Sequence, residues 1–161
     1  MTSNNNKNVI IGIDLGTTYS CLAVWKDGQP IVIPSASGRT MPSWVSFLGG
    51  TKKLVGQKAK DQASLHPANT VYDVKRILGR SFHDNVVQDE MKHLSYSIVE
   101  GRNGEPKIQV CNKNMELSPE EVSAMILSKC LIEAGMEIKM EIVLITYTLF
   151  PFHILMPFSY R

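Results

Sequence analysis

Charge of one sign is scarce in this chain. Its 17 Lys and Arg stand against 15 Asp and Glu over 161 residues, a formal net charge of +2. So even a balance leaves no basic footprint for nucleic acid and no pull toward an anionic membrane, so neither partner is expected; a phosphate ligand would have to be held by a local site. Cysteine is sparse as well. Cys21, Cys111 and Cys130 lie far apart and never at C-x-x-C spacing, which argues against a zinc site or a disulfide framework. His66, His83 and His93 likewise lack partners at metal-ligand spacing. The opening residues, MTSNNNKNV, lack both the apolar core of a secretory leader and the arginine-rich pattern of a transit peptide, so the cytoplasm is the expected compartment. One long apolar run exists. Ile142 to Phe158 holds no Asp, Glu, Lys or Arg, yet Pro151 and Pro157 interrupt it and it falls short of the ~20 residues that span a bilayer, so no membrane anchor is expected.

What is present has the length and composition of about one soluble domain, 43% hydrophobic and 20% charged, enough to bury a single core. Asn8 to Gly16, Cys21 to Trp25 and Pro30 to Pro34 read as three strands, the last two joined by the hairpin signal Asp27-Gly28, so the chain is expected to open as an antiparallel meander. Ser43 to Leu48 reads as a further strand running into the Gly49-Gly50 loop. Lys58 to Leu65 reads as a helix ended by Pro67. Asn69 to Leu78 has Val71, Val74, Ile77 and Leu78 at the spacing of one helical face, with Gly79 as a stop. Leu94 to Glu100 and Lys107 to Asn112 flank the turn Gly101-Arg102-Asn103-Gly104 as a hairpin. Ser118-Pro119-Glu120-Glu121 is a capping box opening a helix whose buried face is Val122, Met125, Ile126 and Cys130. Trp25 and Trp44 are expected to be packing residues.

Chemistry concentrates in Ile11 to Ser20, IGIDLGTTYS. A strand, a tight glycine turn and a second strand can aim consecutive backbone amides into one small space, a natural seat for phosphate oxygens. Thr17 and Thr18 add hydroxyls without bulk, and Asp14 at the strand end suits magnesium, which takes few carboxylates and keeps its waters. The same residues also read as a plain hairpin turn in which the aspartate caps its own backbone. The stretch is neither a Walker A loop nor G-x-G-x-x-G, so generic nucleotide motifs leave the choice open. Lys75 and Arg76, judged alone, read as solvated helix charges.

The segments VIIGIDLGTTYSCLAVW, GRTMPSWVSF, LVGQKAKDQASLHPANTVYDVKRILGR and SPEEVSAMILSK, in this order, resemble the amino-terminal part of the seventy-kilodalton heat-shock chaperones, from about Val9 to Lys129. The resemblance implies an α/β fold of the actin-like ATPase (ribonuclease H-like) type, here an incomplete first lobe only. It implies that Asp14 sits beside magnesium, that Gly16, Thr17, Thr18 and Tyr19 form the first phosphate loop, and that Lys75 is the catalytic lysine, with ATP or ADP and Mg2+ as cofactors. Arg76 is assigned a surface ion pair. The family's partners are nucleotide, unfolded polypeptides, J-domain co-chaperones and nucleotide exchange factors. Residues 1–8 are expected to be a disordered N-terminus and 9–129 a partial nucleotide-binding domain. Residues 130–161 are expected to be a divergent apolar tail, either a substitute strand or unfolded, because family pattern and apolar alternation are lost there and Thr148 stands where the family has a coupling proline. The second phosphate loop and the second lobe are missing, so the expected function is that of a truncated ATP-dependent chaperone. The rival is a non-enzymatic fragment that acts, if at all, by binding a partner.

Overall fold

A computed structural model describes residues 10–111 and 115–135 of the chain. Alternation dictates its first strand. In β1 (Ile11–Leu15) Ile11, Ile13 and Leu15 are buried while Asp14 is exposed, the period-two pattern of a sheet with one covered face. β2 (Tyr19–Lys26) runs antiparallel to β1, with Ile13 opposite Leu22 and Asp14 opposite Cys21. β3 (Gln29–Ile33) follows through Asp27 and Gly28, both at positive φ (52° and 82°), the type I′ geometry that matches strand twist. β4 (Met41–Pro42) pairs with the start of β2, where Pro42 lies opposite Tyr19 and Met41 opposite Ser20. The expected opening meander is present, with β4 added to it.

β5 (Val45–Phe47) is the centre of a second, three-stranded sheet. It pairs with β6 (Lys53–Val55) on one side and with β7 (Thr70–Val71) on the other. Two helical expectations give way here. Regular helix α1 covers only Gln57–Lys60, and the chain continues in turns to Leu65, which is 68% exposed and so offers no apolar face to bury. Asn69 to Leu78 is not one helix. It is a 3-10 turn at Pro67–Asn69, then β7, then a second 3-10 turn at Val74–Arg76. Thr70 and Val71 are β-branched and pair with Ser46 and Val45, while the Thr70 hydroxyl donates to the His66 carbonyl and is hydrogen-bonded to the Ser46 hydroxyl at 3.0 Å. Tertiary pairing thus outweighs a periodicity that still buries the same side chains, Val71, Val74 and Ile77.

Helix α2 (Asn85–Glu90) is capped by Asp84, whose carboxylate accepts from the Val86 amide at 2.8 Å. The expected hairpin forms between β8 (Ser97–Glu100) and β9 (Pro106–Val110), and β10 (Met115–Leu117) adds to the far side of β9. Helix α3 (Pro119–Glu133) begins with both halves of the capping box in place, the Glu121 amide donating to Ser118 Oγ and the Ser118 amide to the Glu121 carboxylate. It packs across β1, β2, β5, β6, β9 and the Val74–Arg76 turn, so Val122, Ile126 and Cys130 join Ile11, Ile13, Ile77, Ile98 and Ile108 in one core. Full burial of such a side chain stabilises by about 1.5–3 kcal/mol.

The two tryptophans part company. Trp44 stacks on Tyr72, ring centroids 4.3 Å apart, as expected of a packing residue. Trp25 does not pack inward: it lies opposite Pro30 near the hairpin end and is 52% exposed. The expectations for residues 1–8, for the start of the first strand at Asn8, for Asn112 and for the segment beyond Gly135 lie outside the described residues.

Candidate functional site

Because Ile13 and Leu15 turn into the core, the residue between them must face the other way, and this places Asp14 on the open side of the sheet, one residue from the strand end. The chain then reverses over Gly16, Thr17 and Thr18 before Tyr19 opens β2. The reversal is tight enough that any Cβ at position 16 would collide with the Tyr19 carbonyl, so glycine is required for close backbone approach rather than for an unusual φ.

The acceptors of this turn are tied down from behind. The Leu15 carbonyl accepts from Lys75 Nζ at 2.6 Å. The Gly16 carbonyl accepts from the Ser43 hydroxyl at 2.9 Å, and the Thr18 carbonyl from the Ser43 amide at 2.9 Å. The amides of Thr17 and Thr18 donate to no backbone carbonyl among the described residues. A turn with bonded carbonyls and free amides can accept an anion, and the Thr17 and Thr18 hydroxyls could supply two further donors.

Lys75 reaches this turn from far along the chain. The turn Val74–Arg76 is entered through Asp73, a non-glycine residue at φ 53°, and its flanks are anchored by buried Val74 and Ile77. That anchoring aims the half-buried Lys75 at the end of β1, while Arg76 points out to pair with Glu90 at 3.1 Å and Asp73 at 3.9 Å, the surface ion pair expected of it. Burial holds the Asp73 carboxyl above the usual carboxylate range, against the opposing pull of Arg76. On the other flank Tyr19 is 46% exposed, and Lys60 Nζ lies 3.4 Å from its hydroxyl and 5.5 Å from its ring centroid.

Of the residues singled out in the sequence, Asp14, Gly16, Thr17, Thr18 and Tyr19 share one strand end and turn by local chain, and folding brings Lys75 to the Leu15 carbonyl among them. Sequence reasoning missed Ser43, Ser20 and Lys60. Ser43 lies in the family-like segment GRTMPSWVSF but carries no chemical signal there, and only the β4–β2 pairing puts it beside the turn. No cluster of three or more His, Cys, Asp or Glu able to hold a metal occurs among the described residues. The donor set fits a magnesium ion that arrives with phosphate and water ligands and takes one carboxylate, Asp14, from the protein. No helix among the described residues is long and apolar enough to cross a membrane.

Known proteins are similar to this chain over the same stretch. The family model described as "Hsp70 protein" matches residues 10–150. Curated relatives include heat shock cognate 70 kDa protein 3 of Dictyostelium discoideum, 48% identical over 74% of this chain and 19% of its own length. The heat shock 70 kDa protein BIP3 of Oryza sativa is 47% identical over 74% of this chain and 18% of its own. The heat shock 70 kDa protein of Trichophyton rubrum is 46% identical over the same share. The chain spans between 17% and 34% of the length of the first relatives it matches. A family match over most of the chain, a mixed α/β fold and an Asp-Leu-Gly-Thr-Thr turn met by a distant lysine converge: the chain belongs to the Hsp70 family of chaperones and covers part of its actin-like, nucleotide-binding ATPase domain.

Proposed function

We propose that this chain binds ATP and ADP through Asp14, Gly16, Thr17, Thr18 and Tyr19, with Lys75 as the residue that acts on the transferred phosphoryl group. The observation that carries the reading is the 2.6 Å bond from Lys75 Nζ to the Leu15 carbonyl, which fixes a cation at the edge of an anion-accepting turn 60 residues away in sequence. An ammonium has three N–H donors; with one spent on Leu15, two remain for a phosphoryl oxygen and an attacking water. The Thr17 and Thr18 amides and hydroxyls orient the phosphate, and the Tyr19 ring borders the mouth. Magnesium, when bound, neutralises phosphate charge, and Asp14 holds it directly or through water. Residues 9–129 act in this reading as the first-lobe unit of an ATP-driven chaperone whose cycle serves unfolded polypeptides with J-domain and exchange-factor partners. Because the described residues supply one phosphate loop, the affinity of the chain by itself is expected to be weak, the ligand being held from one side.

Calorimetric titration of the folded chain with MgADP and MgATP tests this. Saturable, magnesium-dependent heat that Asp14→Asn weakens about tenfold or more, and that Lys75→Ala weakens more for MgATP than for MgADP, supports the reading. No heat from a folded sample sinks it.

A second reading, binding of a partner without turnover, is favoured by one observation: Ile10 and Trp25, joined by a backbone hydrogen bond, are 56% and 52% exposed. Thermal stability separates the two, since nucleotide raises the melting point only of a chain that binds it.

A further inference from the structure

Ser43 lies outside the sequence of the phosphate turn and belongs to a segment with no chemical signature of its own. It is 2% exposed, and its polar atoms serve the turn. Its amide donates to the Thr18 carbonyl, and its hydroxyl donates to the Gly16 carbonyl at 2.9 Å. With that proton spent, the Ser43 oxygen accepts from Ser20 Oγ, 2.9 Å away and itself 1% exposed. The chain of donors therefore runs Ser20 to Ser43 to Gly16. Strand pairing sets it up: Met41 and Pro42 lie opposite Ser20 and Tyr19, so the next residue along, Ser43, arrives opposite Thr18.

We infer that Ser43 is the positioning residue of the phosphate turn: by holding the Gly16 carbonyl it keeps the Thr17 amide, which shares that peptide plane, turned toward the phosphate oxygens of a nucleotide, and by holding the Thr18 carbonyl it fixes the following peptide plane, that of the Tyr19 amide. The inference rests on the nucleotide reading for its ligand and on the hydrogen bonds alone for its mechanics. In a turn with no positive φ to lock it, a peptide plane can rotate and exchange its amide for its carbonyl. A carbonyl in the anion seat repels what an amide attracts. The Ser43 hydroxyl blocks that rotation at Gly16, and the Ser43 amide blocks it at Thr18. Lys75 completes the restraint at Leu15.

A second buried hydroxyl pair in the same fold serves as the control. Ser46, 0% exposed, bonds Thr70 at 3.0 Å between β5 and β7 and does not touch the turn. Three variants are compared with the parent chain: Ser43→Ala, Ser43→Thr, which keeps a hydroxyl, and Ser46→Ala. Backbone 15N relaxation is read at Gly16, Thr17 and Thr18, and MgADP titration gives affinity. In the parent, order parameters at the turn are expected near the rigid value of about 0.85. Ser43→Ala, which removes the hydroxyl and keeps the amide, is expected to drop the order parameter at Thr17 below about 0.6 and to weaken MgADP roughly tenfold, the size of one lost buried hydrogen bond. Ser43→Thr is expected to recover most of both losses. Ser46→Ala should lower the melting point but leave turn order and affinity unchanged. Turn order in Ser43→Ala equal to that of the parent, or equal losses in Ser46→Ala, overturns the inference. Loosened turn amides in a chain that binds no MgADP would sink the nucleotide reading and leave the mechanical role of Ser43 standing. If Ser43→Ala fails to fold, Ser20→Ala takes its place. That change removes the donor behind Ser43 and is expected to loosen the turn by a smaller amount; no loosening there overturns the inference equally.

Discussion

A Cβ placed at position 16 would fall on the carbonyl oxygen of Tyr19, a backbone atom that cannot swing aside. Gly16→Ala is therefore expected to destabilise the chain by about 1–3 kcal/mol, as overpacking does, and to abolish MgADP binding, read by urea denaturation and calorimetry on the same sample. A Gly16→Ala chain with parent stability would mean the turn has slack that the structure does not show. Cys130 gives a second residue-scale expectation. Burial, with Glu133 and Cys21 adding to it, pushes its thiol from 9.0 up to about 11. The folded chain holds this proton more tightly than the unfolded chain, so the stability it contributes is intact below pH 9 and is lost as pH rises from about 9 toward 11. The loss is on the order of 2 kcal/mol. Melting points across that range should fall less steeply in Cys130→Ala than in the parent, whatever the offset between the two curves. At this scale Asp14, Gly16, Thr17 and Thr18 could be proposed from the sequence because they lie within five residues and are of telling types. Lys75 by itself read as a solvated charge, since nothing local distinguishes it from Arg76; its role as a bonded partner of Leu15 comes from folding.

At the scale of elements, α3 is the clearest case of sequence speaking directly. Ser118 and Glu121 exchange their hydrogen bonds as a capping box, with Pro119 at the first helical position. Ser118→Ala is expected to cost about 1 kcal/mol and to lower the melting point by roughly 2–4 °C, measured by circular dichroism; no change would show that packing alone defines this helix start. The Asp27-Gly28 hairpin was equally legible, since type I′ turns demand positive φ at both positions. The segment Asn69 to Leu78 was not. Its apolar spacing fits a helix, but Thr70 and Val71 are taken up as β7 against β5, and Asp73 breaks the chain direction in the left-handed region. The strands β4, β6, β7 and β10 are two or three residues long, too short to show alternation, and exist because a neighbour supplies their hydrogen bonds.

For the whole molecule, α3 is the beam that joins three sheets into one core, and Ile126 sits fully buried on it. Ile126→Ala is expected to destabilise the chain by about 2–5 kcal/mol and to loosen the Gly16–Thr18 turn indirectly, since β1 and the Val74–Arg76 turn both lean on α3. If stability falls while nucleotide affinity of the folded fraction holds, the site is mechanically independent of this core. The sequence by itself determined which residues could carry phosphate chemistry, where the meander, the late hairpin and the capped helix lie, and which family they resemble, because those properties are written in contiguous residue types and local backbone preference. Tertiary structure alone decided that Lys75 meets the end of β1, that Ser43 and Ser20 brace the turn, and that a helical pattern becomes a strand and two turns. Each of those depends on a hydrogen-bond partner that is distant along the chain, and no local preference encodes where such a partner will be.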